Sequence, residues 1–351
     1  MAIPVSIIIP AFNELAYCTQ CVQSILKHTT YPYKLILVDN GSTDGVGKYF
    51  DSVPGATVVH TGENKGFSGG VNAGLAHVEG HALLLNSDTV VPPHWLSRLV
   101  QPFSRDASIG LVGPRSNCVS GSQEITGLDF EGLEPLIRFS EDLFEEHQHT
   151  TRDVARLVGF CMLIRDTVLA EVGVLDEAFG IGNFEDDDYC LRVLRAGYRL
   201  CVAEGSFVFH YGSRTFISMG LVDDAWQEII ETNAQCFSRK WDCKPEERND
   251  AFQEARQYNR LALESIEKGL TQAAVQHLHD AIQCAPTYEE SFNTLGVVLW
   301  EMGEHEKAME NFKRVLRLNH NQLSARENLI EGAEFLKKSE EIWGFLDGLD
   351  A

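Results

Sequence analysis

Four carboxyl groups stand in a row at Glu185-Asp186-Asp187-Asp188, after the loop Gly180-Ile181-Gly182-Asn183-Phe184 and before Tyr189-Cys190-Leu191-Arg192. Leu191, Leu194 and Tyr198 recur at helical spacing, which sets the acids at a helix N-terminus. The helix dipole favours carboxylates there. Four together still repel one another, unless a cation or a substrate hydroxyl uses them. The run therefore reads either as a solvated acidic cap or as a proton-transfer and ligand-holding cluster. Other polar candidates stand at the ends of apolar runs: Asp39 after Tyr33–Val38, Asn86-Ser87-Asp88 after Ala82–Leu85, and His210 after Phe207–Phe209. Taken singly, each suits a turn or loop as well as a site. Gly66-Phe67-Ser68-Gly69-Gly70 is glycine-rich, yet lacks the order of a dinucleotide or P-loop motif.

The elements that must position these residues alternate. Val5–Pro10, Tyr33–Asp39, Ala56–His60 and Ala82–Leu85 are short apolar runs with the look of buried parallel strands. A helical pattern follows the first through Leu15, Cys18, Val22, Ile25 and Leu26. Such alternation predicts a mostly parallel sheet flanked by helices. Ligands of open α/β sheets bind at the carboxyl ends of the strands, where the polar residues gather. Beyond Thr89 the pattern loosens. Val112–Asn117 predicts a strand ending in a turn, and Glu131–Thr151 an acidic surface loop with a helix. Arg156–Ile164 predicts a core strand, Phe207–Phe216 a strand running into a polar loop, and Ala225–Trp241 a helix.

Lys244-Pro245-Glu246-Glu247-Arg248-Asn249 is polar, non-periodic and contains proline, as a linker does. Beyond it Tyr258, Leu261, Ala262, Gly269, Ala274, Leu278 and Ala281 return as Phe292, Leu295, Gly296, Gly303, Ala308, Phe312 and Val315. The tetratricopeptide repeat has this period and this small/large alternation. Ser265 stands where that pattern expects a large residue, and Ser324–Phe345 reads as a partial unit with a capping helix. Three parts are expected: a catalytic domain over 1–243, a linker over 244–250 and an all-α repeat domain over 251–351.

A formal net charge of −22 argues against nucleic-acid binding, which needs a basic surface. No apolar stretch reaches membrane-spanning length, and Met1-Ala2-Ile3-Pro4 leads straight into the first strand pattern. Nine cysteines scattered through apolar segments fit buried, reduced thiols, so a cytoplasmic protein is expected. Cys18 and Cys21 form one CxxC, with no second pair to complete a zinc site.

Together, and in this order, the motifs resemble a family 2 glycosyltransferase of the GT-A fold from about Val5 to Trp241. The residues that carry the resemblance are Pro10-Ala11-Phe12-Asn13-Glu14, Val38-Asp39-Asn40-Gly41-Ser42-Thr43-Asp44, Asn64-Lys65-Gly66-Phe67, Asn72-Ala73-Gly74, Leu85-Asn86-Ser87-Asp88-Thr89 and Asn183–Asp188 through Ala196-Gly197-Tyr198. With its helical extension, the chain is similar to bacterial enzymes that glycosylate glycans or proteins such as flagellin. The resemblance implies a nucleotide-sugar site at Pro10, Phe12, Asn13, Glu14, Asp39, Asn64, Lys65, Gly66, Asn72 and Ser87. Phe12 would pack on the base and Asp39 would accept its imide N–H. A divalent cation, Mn2+ or Mg2+, would be held at Asp88 and His210, with Asn86 standing where the family's DXD motif has its first carboxylate. Asp186 would be the general base of an inverting transfer and Glu185 its neighbour on the acceptor side.

The expected donor is a UDP- or dTDP-sugar. The expected acceptor is a hydroxyl of a protein, peptide or glycan, and the repeats would bind a protein or a second copy. Trp95, Arg115 and Asn117 lie in segments able to line the acceptor side. The competing reading is an inactive transferase-like domain serving as an interaction scaffold. A sugar nucleotidyltransferase would need a basic glycine-rich loop after the first strand, where Pro10-Ala11-Phe12-Asn13 stands instead.

Overall fold

Strands β1 Val5–Ala11, β2 Tyr33–Asp39, β3 Thr57–His60 and β4 His81–Leu85 form the parallel half of an eight-stranded sheet. The computed structural model describes residues 3–128, 130, 132–212, 223–242, 250–286, 288–319 and 322–349. Helices α1 Leu15–His28, α2 Val46–Asp51 and α3 Gly66–Leu75 connect those strands, and α4 Trp95–Arg105 follows them. The rest of the sheet comes from β6 Ile109–Arg115, β7 Thr151–Val154, β8 Cys161–Ile164 and β9 Arg199–Phe207. Helices α5 Leu133–Glu146, α6 Asp166–Val172 and α7 Glu185–Arg195 lie between these elements in the chain. The spatial order is β3-β2-β1-β4-β8-β6-β9-β7; β8 runs antiparallel to both its neighbours. A two-stranded ribbon pairs β5 Thr89–Val90 with β10 Phe209–His210.

The strands alternate because both faces are covered. Ile7, Ile9, Leu35, Leu37 and Leu83 point to one side, against Val22 and Ile25 of α1 and Leu99 of α4. Ile8, Ile36, Val38 and Leu84 point to the other, against Val71 of α3, Val168 of α6 and Val193 of α7. Each such side chain contributes roughly 1.5–3 kcal/mol on full burial. The two layers therefore fix the strand register on which the loop positions depend.

Register then delivers the functional loops. Asp39 lies opposite His60 on β3 and Ala11 on β1. Leu85 lies opposite Cys161, so the Asn86 N–H donates to the Phe160 carbonyl at 2.8 Å and the turn before β8 sits beside the end of β4. His210 pairs with Thr89, one residue from Asp88. The chain reverses its winding between β1 and β4, the point where open α/β sheets hold ligands.

Some expected boundaries move. Arg156–Ile164 is not one strand: β8 begins at Cys161, because Leu157–Phe160 form a turn that reaches towards α7. Strands β9 and β7 extend the sheet beyond β6, from segments whose sequence pattern did not announce them. The strand expected over Phe207–Phe216 splits into the end of β9 and β10, and its Ser213–Phe216 portion lies outside the described residues. The linker expected over 244–250 also lies outside them, apart from Asp250, which starts a helix. Cys18 and Cys21 are both buried free thiols, packed in the α1 layer.

The chain divides into two compact units, Met1–Arg248 and Asn249–Ala351. The second is all-helical. Its helices Thr271–Cys284, His305–Leu318 and Ser339–Leu349 start 34 residues apart, and they alternate with Asp250–Glu267, Glu289–Glu301 and Leu323–Leu336. The arrangement is tetratricopeptide-like, with Ala262, Ala274, Leu278, Leu295 and Val298 buried between neighbouring pairs.

Candidate active site

The carboxyl ends of β1 and β4 open into a cleft with two lobes. Pro10, Phe12, Asn40, Asn64, Gly66 and Ser87 line the smaller lobe. The larger, of about 480 Å3, is lined by Gly159, Glu185, Asp186, Asp187, Arg156 and His210, among others. That volume suits a small ligand. Phe67, Asn86 and Asp88 belong to both lobes, which makes the cleft continuous.

The wall of the smaller lobe is organised by Asn40, which is 4% exposed. Its Nδ2 donates to the Gly66 carbonyl at 2.9 Å, and its Oδ1 accepts the Lys65 N–H at 3.1 Å. Asn64 closes the same turn by accepting the Gly66 N–H at 2.9 Å. On the neighbouring loop, Asn13 Oδ1 accepts the Thr43 N–H at 2.8 Å, while the Ser42 hydroxyl accepts the Asn13 N–H at 2.9 Å. Asn13 and Glu14 both adopt left-handed backbone conformations, at φ 59 and 66 degrees. Non-glycine residues hold such angles only where surrounding bonds over-determine them.

Asp88 Oδ1 lies 3.2 Å from His210 Nε2. The ring is oriented from behind: Nδ1–H donates to the Cys118 carbonyl at 2.7 Å, and Phe160 stacks on the ring face at 5.1 Å. Nε2 therefore carries the lone pair whenever the imidazole is neutral, the arrangement of metal-bound histidines. Burial pulls the His210 pKa down, but Asp88 and the Cys118 carbonyl outweigh it and leave the group above its ordinary value. The Asn86 amide is the third group here, its Nδ2 3.4 Å from Nε2. Among the described residues no three His, Cys, Asp or Glu side chains converge. The donor set still fits a divalent cation: two ligands bound side by side at about 2.1–2.3 Å are themselves about 3 Å apart.

All four acids of α7's first turn are buried, which excludes the solvated cap. They coexist because each has a different neighbour. Asp186 accepts the Gly159 N–H on Oδ2 and the Asp187 N–H on Oδ1, both at 2.9 Å. Asp187 Oδ1 lies 2.7 Å from Arg156 Nε. Asp188, fully buried, binds Arg192 at 2.9 Å and both Lys240 and the Trp241 indole from the helix Asp223–Trp241. Glu185 is the exception: among the described residues its buried Oε2 has no hydrogen-bond partner. Burial, then the charge of Asp186, pushes its pKa well above the usual carboxylate range. Such a shift favours the protonated acid, which would remove one charge from the row.

Residues 6–173 match the family model described as Glycosyl transferase family 2. This stretch is a family 2 glycosyl transferase domain. A glycosyltransferase, GlyG of Streptococcus pneumoniae, is 27% identical over 135 residues, which span 36% of this chain and 45% of the relative. The N-acetylglucosaminyl-diphospho-decaprenol L-rhamnosyltransferase of Mycobacterium tuberculosis is 25% identical over 217 residues, 54% of this chain and 69% of the relative. An uncharacterized protein of Sinorhizobium fredii is 29% identical over 60% of this chain, but the match covers 24% of its own length. The chain thus spans a quarter to under half of the first of these curated relatives. GalNAc-T7, solved with UDP, GalNAc and Mn2+, shares the GT-A fold at a TM-score of 0.52 and 17% identity, covering 74% of this chain and 51% of its own.

Within the unit Met1–Arg248, Pro10, Phe12, Asn64, Gly66, Asn86, Ser87, Asp88, Glu185, Asp186 and His210 share the cleft. Others named from the sequence stand behind it. Asp39 accepts the Ser42 N–H on Oδ1 and binds His60 through Oδ2. Asn72 is a strut: its amide bonds to Leu175 N and O and to Glu177. Lys65 meets Asn40 through its backbone, and Glu14 starts α1. Arg115 pairs with Glu204 and Trp95 is fully buried, so neither faces an acceptor; Asn117 instead brackets the His210 backbone. The sequence reading missed Asn40, Phe67, Gly159, Arg156 and Asn233. Asn233 donates to the carbonyls of Phe179 and Gly182 at 2.7 and 2.8 Å, holding the loop before α7. Asn40 followed a strand-end aspartate, which was a legible signal. Phe67 stood in the Asn64–Phe67 motif; Gly159, Arg156 and Asn233 carry no local mark.

His60 Nδ1 and Nε2 each lie 3.0 Å from a carboxylate, of Asp39 and Asp51. The Asp39 bond, then the Asp51 bond, raises the His60 pKa, with burial opposing. The folded-state value exceeds the unfolded one. The stabilisation is therefore complete below the unfolded pKa and is lost as pH rises through the folded pKa. With His60 largely exposed, the gain should stay below about 1 kcal/mol. The melting-temperature advantage of wild type over His60→Gln should shrink between pH 6 and pH 9; a constant difference would deny the pair any role.

Proposed function

We propose that this chain is an inverting, metal-assisted glycosyltransferase that moves a sugar from a UDP- or dTDP-linked donor to a hydroxyl of a protein, peptide or glycan. One observation carries this reading: Asp88, His210 and Asn86 share a continuous cleft with Glu185 and Asp186, at the sheet's winding reversal. The smaller lobe takes the nucleotide, with Phe12 packing on the base. Asp39 acts from behind the Asn13–Ser42 loop, held in place by His60. Asp88 and His210 would hold the cation, assisted by the Asn86 amide. A divalent cation bound there neutralises the charge of the departing diphosphate.

Asp186 is the general base. Its carboxylate, fixed by the Gly159 and Asp187 N–H groups, takes the acceptor proton as the hydroxyl attacks the anomeric carbon. Glu185, protonated, donates to an acceptor or sugar oxygen. Attack opposite the leaving group inverts the anomeric centre. A second reading, an inactive domain used as a scaffold, draws support from Asn86 standing where a carboxylate is expected.

Thermal shift of the whole chain against UDP-, dTDP- and GDP-sugars, with and without Mn2+, tests the reading, because a ligand of the native state raises its melting temperature. UDP or dTDP compounds should stabilise, and Asp88→Asn should weaken binding by tenfold or more with Mn2+ while leaving metal-free binding within threefold. Diphosphate release and the anomeric configuration of the product then report chemistry. Donor binding without turnover would favour the scaffold, and a retained configuration would exclude the proposed mechanism.

A further inference from the structure

The helical unit carries a second cavity, of about 350 Å3, between the helices Glu289–Glu301, His305–Leu318 and Leu323–Leu336. Its apolar surface is aromatic. Phe312 forms the buried floor, and Trp300 and Phe335 form the walls, with ring centroids 5.5 Å apart and near perpendicular. Phe335 is 66% exposed, an unusual state for a large apolar side chain. The walls are braced. The His305 ring lies 4.4 Å from Trp300 and 5.2 Å from Phe335, and a Cβ on Gly332 would strike Met309 at 2.5 Å and Trp300 at 3.0 Å. Any larger residue at that position would have to displace the Met309 thioether or the Trp300 ring.

The rim is acidic. Glu301 and Glu331 border the cavity beside the Asn328 amide, and among the described residues neither carboxylate pairs with a cation. Elsewhere in this unit Lys307, Lys313 and Lys338 each sit within 4 Å of a glutamate. Aromatic faces attract a cation, and carboxylates at the rim complete its neutralisation. A flat, weakly hydrated guanidinium suits both: it stacks on a ring and bonds two acceptors at once.

We infer that this cavity binds an arginine side chain of a partner polypeptide, docked against the Trp300 and Phe335 rings with its guanidinium at Glu301 and Glu331. The chain's charge of −22 adds long-range attraction for such a basic segment. Binding here does not depend on the transferase reading and is measured without a donor.

The test uses the whole chain and a fluorescein-labelled peptide, Gly-Ser-Leu-Arg-Leu-Ser-Gly, read by fluorescence anisotropy. The arginine peptide should bind, and its uncharged citrulline isostere should bind at least tenfold more weakly. The double variant Glu301→Gln/Glu331→Gln should lose tenfold or more, as should Phe335→Ala, with circular dichroism confirming that each folds. Raising the salt concentration should weaken binding. Equal binding of the citrulline peptide, preference for a glutamate peptide, or no binding of the arginine peptide at about 1 mM would overturn the proposal. Self-association that disappears in Phe335→Ala would overturn it too, in favour of a second copy as the occupant.

Discussion

Asp186→Asn should lower kcat for sugar transfer by roughly 10²- to 10⁴-fold, the range of a positioned general base, with the donor KM within about threefold of wild type. The substitution keeps shape and removes basicity. Its side effect is also defined. Both carboxylate oxygens now accept backbone N–H groups, from Gly159 and Asp187. An amide can satisfy one and must point its NH2 at the other, so a loss of about 1–2 kcal/mol in stability accompanies the change. Stability alone does not explain a loss of turnover if UDP still shifts the melting temperature. Asp187→Asn is the control, because Asp187 already pairs with Arg156. It should retain kcat within about tenfold. Turnover of Asp186→Asn at a tenth of wild type or better would remove Asp186 from the base role.

Gly66→Ala should destabilise the transferase unit by about 3 kcal/mol, the sum of backbone strain and overpacking, and lower its melting temperature by roughly 6–12 °C. Gly66 sits at φ +72 degrees, and a Cβ there would lie 2.0 Å from the Gly180 carbonyl oxygen. The contact is backbone against backbone, so no side chain can swing away. Phe67 N–H donates to the Ile181 carbonyl at 3.1 Å, which locks the start of α3 to the loop before the acid run. A methyl group would therefore push apart the two walls of the cleft, and donor affinity should fall with stability. Gly127→Ala separates the two causes: φ is +77 degrees there, with open space around the Cβ position. It should cost about 1 kcal/mol, the backbone term alone. Equal effects at Gly66 and Gly127 would mean that the Gly180 contact relaxes freely.

Gly66 also shows how a motif can be legible for a reason that the fold revises. The resemblance implied a place for it in the nucleotide-sugar site. Its immediate neighbour is instead protein backbone, at Gly180 and Ile181. Gly70 likewise faces Pro10 and Asn40. Only the tertiary structure names what approaches the glycine backbone. Asn72 makes the same point, since its amide ties α3 to Leu175 and Glu177 and never reaches the cleft wall.

What the amino-acid order determined by itself was periodicity and punctuation. Short apolar runs ending in Asp39, Asn86 and His210 announced strands with polar carboxyl ends, and the spacing of Leu191 and Leu194 set Glu185–Asp188 in the first turn of a helix. These are local properties, read from side-chain alternation and helix starts. The tertiary structure decided which of the four acids carries a partner. Asp187 finds Arg156, and Asp188 finds Arg192, Lys240 and Trp241. Asp186 meets a backbone N–H from the turn before β8, and Glu185, its Oε2 buried without a hydrogen-bond partner among the described residues, has its pKa pushed up by burial and by Asp186. Apart from the Arg192 pair, one helical turn away, those pairings join segments far apart in the chain. They follow from the antiparallel insertion of β8 between β4 and β6 and from the docking of the helix Asp223–Trp241, neither of which leaves a periodic trace. Desolvation then acts on what packing has assembled, which is why the chemistry of four like side chains diverges only in the folded state.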